Sequence, residues 1–305
     1  MKSEFSIELV LLAKELLLIK NKNTTVNWNS TLEKLYSINI GMEETMQFLF
    51  GTNCNENDIL NWLRNTAQNQ KEITNDIEDV LDENDLKFFE TNGYLILKNA
   101  APEKECLEAQ NAIYNFLNTS DSDKEGWYKQ HPGKRGLMLT FSRHKALDKV
   151  RNSIRLKKAY EQLYGTKKIY KTIDKVSFNP PETNSYKFEG EHQHLDVSLG
   201  EEIKFTLQGL IYLSHCSAND GPFMCVPGFH TKINNWINDQ KTDINIRALI
   251  PKISGAIKVC GNMGDAVIWH QGLPHCASPN KGNLPRMVQY VTYRPIGYQQ
   301  AEKWL

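Results

Sequence analysis

Apolar residues follow two rhythms along this chain, and the change of rhythm divides it. Up to about residue 75 they recur at helical spacing. The Leu-rich segment Ile7 to Ile19 has an apolar face wide enough to need cover on most sides. Ser30-Thr-Leu-Glu33 reads as a capping box that opens a second helix carrying Leu32, Leu35 and Tyr36. Met42 to Phe50 and Asp58 to Leu63 add two short amphipathic pieces, with Trp62 the largest apolar side chain among them. Gln68 to Asp79 is polar and has few groups able to order a core, so it reads as a linker. The pattern predicts a helical N-terminal module over residues 1–75 and a second domain over residues 80–305.

The second domain opens with a helix over Asp85 to Glu90, ended near Gly93, and an apolar strand from Tyr94 to Leu97. A further helix runs through about Leu117, with Pro102 in its first turn. Residues 126–146 mix aromatic side chains with Lys129, Lys134, Arg135, Arg143 and His144, the composition of a loop that faces water or lines a polar pocket. After a helix across Val150 to Leu163 the rhythm becomes that of strands, near 170–178, 186–195, 203–213, 222–226, 256–259, 265–269 and 286–293. Short strands with Gly, Pro and Asn turns suggest a jelly roll or related barrel, an α+β chain whose core is mainly β.

Composition narrows the partners. Lys plus Arg and Asp plus Glu both number 36 in 305 residues, so there is no basic footprint for a polyanion, and neither nucleic acid nor an anionic membrane surface is expected as the main partner. The apolar run Phe5 to Ile19 is interrupted by Glu8, Lys14 and Glu15, whereas a membrane span needs about 20 predominantly apolar residues. It reads as neither a signal peptide nor a span. Six cysteines form no CxxC pair, which argues against a zinc ribbon or a disulfide framework and makes a reduced cytoplasm the expected compartment.

Candidate chemistry gathers in two stretches. In Glu191-His192-Gln193-His194-Leu195-Asp196, read as a strand, His194 and Asp196 project to one face and Leu195 to the other. Either an isolated H-x-D or a histidine after Pro274 has an ordinary reading, as a strand-end ion pair or a loop residue. The combination differs, because His194, Asp196 and His275 supply the two imidazoles and one carboxylate that leave three positions open on an octahedral iron(II). Eleven residues after His275, Arg286 opens a strand, and an arginine there can hold a carboxylate through two parallel hydrogen bonds. The two residues are expected on adjacent strands at one end of a barrel. His192 shares the parity of His194, but Gly190 is too close and Glu201 too far for the cupin metal pattern, so it is read as a residue that supports the metal ligands or faces the substrate. His215, His230 and His270 are read as hydrogen-bonded histidines without a ligand role.

With these residues in hand the chain resembles the phytanoyl-CoA dioxygenase family of iron(II) and 2-oxoglutarate dependent oxygenases, over roughly residues 82–295. Leu86-Lys-Phe-Phe-Glu-Thr-Asn-Gly-Tyr-Leu-Ile-Leu97 is similar to the family's opening helix, turn and strand. Lys175-Val-Ser-Phe-Asn-Pro-Pro181 is similar to the strand before the metal motif, and His194-Leu-Asp196 to the motif itself. Asn219-Asp-Gly-Pro-Phe-Met-Cys-Val-Pro-Gly-Phe-His230 resembles the N-G-x-L-x-x-x-P-G-S-H segment, and Gly264-Asp265 through Arg286 the closing histidine and 2-oxoglutarate arginine. Three positions depart: Phe229 and Ala277 stand where serines are usual, and Asn179 where lysine is common. Ser177 and Gln208 are the substitutes chosen as auxiliary 2-oxoglutarate contacts.

The resemblance implies a double-stranded β-helix with flanking helices, and a hydroxylase that uses Fe(II), 2-oxoglutarate and O2 and releases succinate and CO2. The retained Asp196 argues for hydroxylation over halogenation, since related halogenases vacate that carboxylate. A small polar metabolite, an amino acid or natural-product intermediate, is the expected substrate, with Lys129, Arg135, Arg143 and His192 as its candidate contacts. The competing readings are a non-catalytic binding protein on the same barrel, and an oxygenase whose carrier-bound or peptide substrate docks on the N-terminal helices. Those helices otherwise read as a homodimer contact or a lid.

Overall fold

The computed structural model describes residues 2–22, 25–67, 76–190, 192–240 and 245–299. Glu191 and residues 68–75 of the expected linker lie outside them. Four helices come first: α1 (Lys2–Lys20), α2 (Trp28–Ser37), α3 (Met42–Gly51) and α4 (Glu56–Thr66). The second starts earlier than the Ser30-Glu33 pattern suggests, because Asn27 is extended and its side chain accepts from the Ser30 amide at 3.0 Å, leaving Ser30 already inside the first turn. Asn55 and Asp58 form a reciprocal capping box on α4. Leu12, Leu16, Leu35, Leu49, Ile59 and Leu63 meet in a core of their own, closed by Ile173 from later in the chain. Among the described residues no helix is long and apolar enough to cross a membrane.

The rest of the chain holds α5 (Glu83–Asn92), β1 (Tyr94–Leu97), α6 (Glu103–Phe116), β2 (Lys134–Arg135), β3 (Met138–Leu139), α7 (Lys145–Arg151), α8 (Ile154–Tyr164), β4 (Ile169–Lys171), β5 (Val176–Asn179), β6 (Leu207–Tyr212), β7 (Phe223–Cys225), α9 (Ile233–Asn238), β8 (Ile257–Val259), β9 (Ala266–His270), β10 (His275–Ala277), β11 (Arg286–Tyr290) and β12 (Tyr293–Pro295). Seven strands make one antiparallel sheet in the order β1-β9-β6-β11-β5-β3-β2; three more pair as β10-β7-β8, and β12 pairs with β4.

Alternation along the strands gives the large sheet two apolar faces. Leu97, Phe178, Ile211, Ile268 and Met287 pack outward on α6, α7 and α8. Tyr94, Leu210, Tyr212, Trp269 and Val288 point inward, where they meet Phe223, Cys225 and Val259 of the small sheet. The site described below stands on this inner face.

Several expected elements differ. The helix across 150–163 is two helices, because the chain turns at Asn152 and Ser153 re-caps the second one through the Leu156 amide. Pro102 is the cap of α6, one residue before its first turn. Residues 126–146 carry the short β2–β3 hairpin, which pairs with β5. Among the described residues of 186–195 no ladder forms, and only His194 pairs, with His275. Nor are His275 and Arg286 on adjacent strands. The first lies in the small sheet and the second in the middle of the large one, because residues 278–285 cross between the sheets, pinned by Ser278 to the Pro222 carbonyl and by Asn280 to the carbonyls of Asn179 and Leu284.

The turn that launches β9 is tightly determined. Gly264 has φ +88°, and a Cβ there would lie 2.2 Å from the Ala101 carbonyl oxygen. Asp265, buried, accepts from Lys98 Nζ and from the amides of Asn99 and Asn262. Gly264→Ala is expected to destabilise the protein by about 1–3 kcal/mol, read as a lower urea midpoint; an unchanged midpoint would mean the turn relaxes freely.

Candidate active site

One Nε2 from each of His194 and His275 and a carboxylate oxygen of Asp196 come within 4.8 Å of one another. His275 opens β10, buried against Trp269 and Phe223, with ring centroids at 5.1 and 5.7 Å. His194 and Asp196 sit on a loop without a strand, so other contacts fix it. The amides and carbonyls of His194 and His275 bond reciprocally at 2.9 and 3.0 Å. Gln193 donates to the carbonyls of Ile250 and Ile253, and Arg247 to those of Leu195 and Val197 on either side of Asp196. Leu195 is buried among Ile203, Ile233 and Ile250, pointing away from the two ligating groups as strand alternation would have it.

Each histidine has its other nitrogen occupied. His194 Nδ1 lies 2.7 Å from the His192 carbonyl and His275 Nδ1 2.9 Å from that of Leu273. A carbonyl only accepts, so each Nδ1 carries the proton and each Nε2 keeps its lone pair for the space shared with Asp196. Asp196 Oδ2 is 3.3 Å from His275 Nε2, and Oδ1 is 3.7 Å from His194 Nε2. Partial burial pushes the Asp196 carboxyl up, but when the imidazoles are protonated the hydrogen bond and charge of His275, the charge of His194 and the Gln208 amide outweigh it and hold it well below the usual carboxylate range. Two neutral imidazoles and an ionised carboxylate fit a divalent cation of the iron type.

Arg286 enters from β11, opposite Asn179 of β5, and is 1 % exposed. Its Nη1 donates to Ser177 Oγ at 3.3 Å, its guanidinium lies over the Tyr212 ring at 5.6 Å, and its Nε has no hydrogen-bond partner. No carboxylate among the described residues pairs with it. A buried guanidinium stays charged and is costly without an anion, so this position is suited to a ligand carboxylate. Asn179, where lysine was the expected residue, is fully buried and donates to the Ser278 carbonyl.

Gln208 donates to Asp196 Oδ2 at 2.8 Å and accepts from Trp269 Nε1 at 3.0 Å, while Ser177 alone of the two substitutes touches Arg286. Lys129 is exposed and pairs with Asp123, and Arg135 is exposed on β2. Arg143 pairs with Glu44 at 2.9 Å and donates to the Thr66 carbonyl, tying the core to α3 and α4. The His192 side chain is exposed, and its carbonyl is what orients His194. Sequence reading left Trp269 and Arg247 without a role. Neither belongs to a local motif, because each acts on a segment 50 or more residues away.

The sequence profile described as Phytanoyl-CoA dioxygenase (PhyH) matches residues 89–288. A Dictyostelium discoideum protein, provisionally named a phytanoyl-CoA dioxygenase, is 22% identical over 264 residues, covering 70% of this chain and 75% of its own. Among solved structures, EctD from S. alaskensis with 2-oxoglutarate and 5-hydroxyectoine aligns at 17% identity and TM-score 0.53, over 75% of this chain and 82% of that one. SnoN, an epimerase in complex with Fe3+, alpha ketoglutarate and nogalamycin RO, aligns at 14% identity and TM-score 0.51, over 70% and 83%. At these identities the structural likeness is one of fold.

His270 follows Trp269 and is 7 % exposed, with its Nδ1 accepting from the Gly272 amide. Burial, and next the charge of His230, lower its pKa from 6.5 to about 4. The folded state therefore binds the proton less readily than the unfolded chain, so this contribution is whole above about pH 6.5 and is lost as pH falls towards about 4. Between pH 7 and 5 the wild type should lose about 2 kcal/mol more than His270→Asn, which keeps an acceptor. Urea titrations at the two pH values measure this; parallel losses would contradict it.

Proposed function

Because the chain belongs to the phytanoyl-CoA dioxygenase family, whose profile spans residues 89–288, we propose that it is an iron(II)- and 2-oxoglutarate-dependent dioxygenase that hydroxylates a small polar metabolite. On this reading the two facing sheets are the halves of a double-stranded β-helix over residues 80–305, and residues 1–75 form a helical module attached to it. His194, Asp196 and His275 hold Fe(II), and Arg286, with Ser177, holds the distal carboxylate of 2-oxoglutarate. The observation that carries the reading is the pairing of two preset Nε2 lone pairs and a carboxylate with a buried guanidinium that has no acidic partner among the described residues. The bound 2-oxoglutarate in EctD and the iron with alpha ketoglutarate in SnoN support the same cofactors on the same fold.

Bound iron with 2-oxoglutarate and O2 supplies the oxidation, which turns the oxo acid into succinate and CO2 and leaves a hydroxyl on the substrate carbon. This chain's own groups position and exclude. The His192 and Leu273 carbonyls keep each imidazole proton on Nδ1, and Phe223 and Trp269 cover His275 from water. A cleft beside Asp196 is lined by Glu201, Lys204, Gln271, Arg294 and Tyr298, polar groups that suit an amino acid or natural-product intermediate. The retained carboxylate at Asp196 favours hydroxylation over halogenation. Balanced charge and free cysteines favour a cytoplasmic protein.

A second reading, a carrier-bound or peptide substrate docked on the N-terminal helices, is favoured by one feature. Ile7 and Leu11 on α1, and Met42, Met46 and Phe50 on α3, are exposed apolar side chains.

Anaerobic addition of Fe(II) and 2-oxoglutarate is expected to give a weak charge-transfer band that His194→Ala abolishes. Truncating one partner of a buried charge pair costs about 2–5 kcal/mol, so Arg286→Ala should raise the 2-oxoglutarate requirement by roughly tens to thousands of fold while leaving iron binding nearly unchanged. Equal loss of both would make Arg286 structural, and absence of succinate formation in air with candidate substrates would overturn the reading.

A further inference from the structure

Asp196 lies on a segment with no ladder of its own, yet its carboxylate is gripped from the rigid sheet. Gln208 on β6 and Trp269 on β9 stand directly opposite each other. The indole N–H can only donate, so the 3.0 Å contact from Trp269 Nε1 fixes the Gln208 oxygen towards the indole and its NH2 towards Asp196. That NH2 donates to Oδ2 at 2.8 Å. Trp269 cannot turn away: it is 2 % exposed, with the Phe223 ring at 4.5 Å and the His275 ring at 5.1 Å. The result is a directed relay, indole to amide to carboxylate, that occupies Oδ2, the oxygen 3.3 Å from His275 Nε2, and leaves Oδ1, 3.7 Å from His194 Nε2, without a donor from this pair.

We propose that Gln208 and Trp269 are positioning residues that hold Asp196 as a one-oxygen metal ligand. The inference rests on the iron and 2-oxoglutarate reading above. Its consequence is a count of positions. Two imidazoles and one oxygen leave three of six sites open, whereas a carboxylate gripping through both oxygens leaves two, and a chelating 2-oxoglutarate would then fill the site. Release of Oδ2 from the amide favours that second grip, so losing the relay should leave metal binding intact or stronger and weaken what binds after the metal.

Co(II) serves as the probe, since its visible absorption reports coordination number without turnover. On the full-length protein, Co(II) affinity is measured first and 2-oxoglutarate affinity of the Co(II) form second, for wild type, Gln208→Met and Trp269→Phe. Gln208→Met should bind Co(II) at least as tightly as wild type and 2-oxoglutarate about 10- to 100-fold more weakly, with Trp269→Phe between the two and a changed Co(II) spectrum in both. Equal losses of metal and 2-oxoglutarate affinity would show a merely structural role and overturn the inference, as would no change in either. If Gln208→Met does not fold, the same split read in Trp269→Phe decides. Failure of the wild type to bind Co(II), or binding that survives His194→Ala, overturns the underlying functional reading and this inference with it.

Discussion

Two backbone hydrogen bonds between His194 and His275, at 2.9 and 3.0 Å, join a loop that belongs to no sheet to the strand that supplies the second imidazole. Everything at the candidate site depends on that junction. With it, two Nε2 atoms and a carboxylate converge; without it, the residues around Asp196 have no ladder to set their direction. The loop is then braced from outside, by Gln193 and Arg247 on its backbone and by Leu195 in an apolar cluster beneath it. The arrangement divides the work in a physically sensible way. Sheets provide rigidity, and the loop provides ligands that the sheet holds through side chains.

Charge follows the same division. Arg286 is buried at the start of β11, a central strand of the large sheet, where pairing with Asn179 of β5 places its backbone. Its neighbours are a hydroxyl and an aromatic face instead of an acid. A charge so placed is costly to desolvate unless an anion pairs with it. Lys129 and Arg143, which share its charge but lie in or beside loops, are already neutralised by Asp123 and Glu44. The chain thus leaves Arg286 without an acidic partner among the described residues and uses these two cations for structure.

Much of this was legible in the sequence, for local reasons. The H-x-D spacing, the Gly264-Asp265 turn, the strand opening at Arg286 and the helix stop at Gly93 are each set within a few residues, so pattern and turn chemistry find them. Short apolar runs after a helical start likewise point to a mainly β core with flanking helices, which the structure shows as a seven-stranded antiparallel sheet backed by helices. What went astray depended on distance along the chain. Residues 186–195 alternate like a strand, but the described ones among them find no strand partner except at His194, and His275 and Arg286, near in sequence, are carried to different sheets by the crossing at 278–285. Gln208 has the right parity to face the site, yet which ligand it touches is decided by Trp269, 61 residues later.

The sequence by itself determined the inventory: which groups can ligate, which can clamp a carboxylate, and which family resembles the whole. Those are properties of residue type and short spacing, and they survive without coordinates. Tertiary structure decided the pairings. The tautomer of each histidine comes from the carbonyls of His192 and Leu273, the isolation of Arg286 from the absence of an acid among its described neighbours, and the oxygen of Asp196 that is engaged from a tryptophan on another strand. Hydrogen bonds are directional and short, so their partners become known only when distant segments have been brought to within about 3 Å of one another.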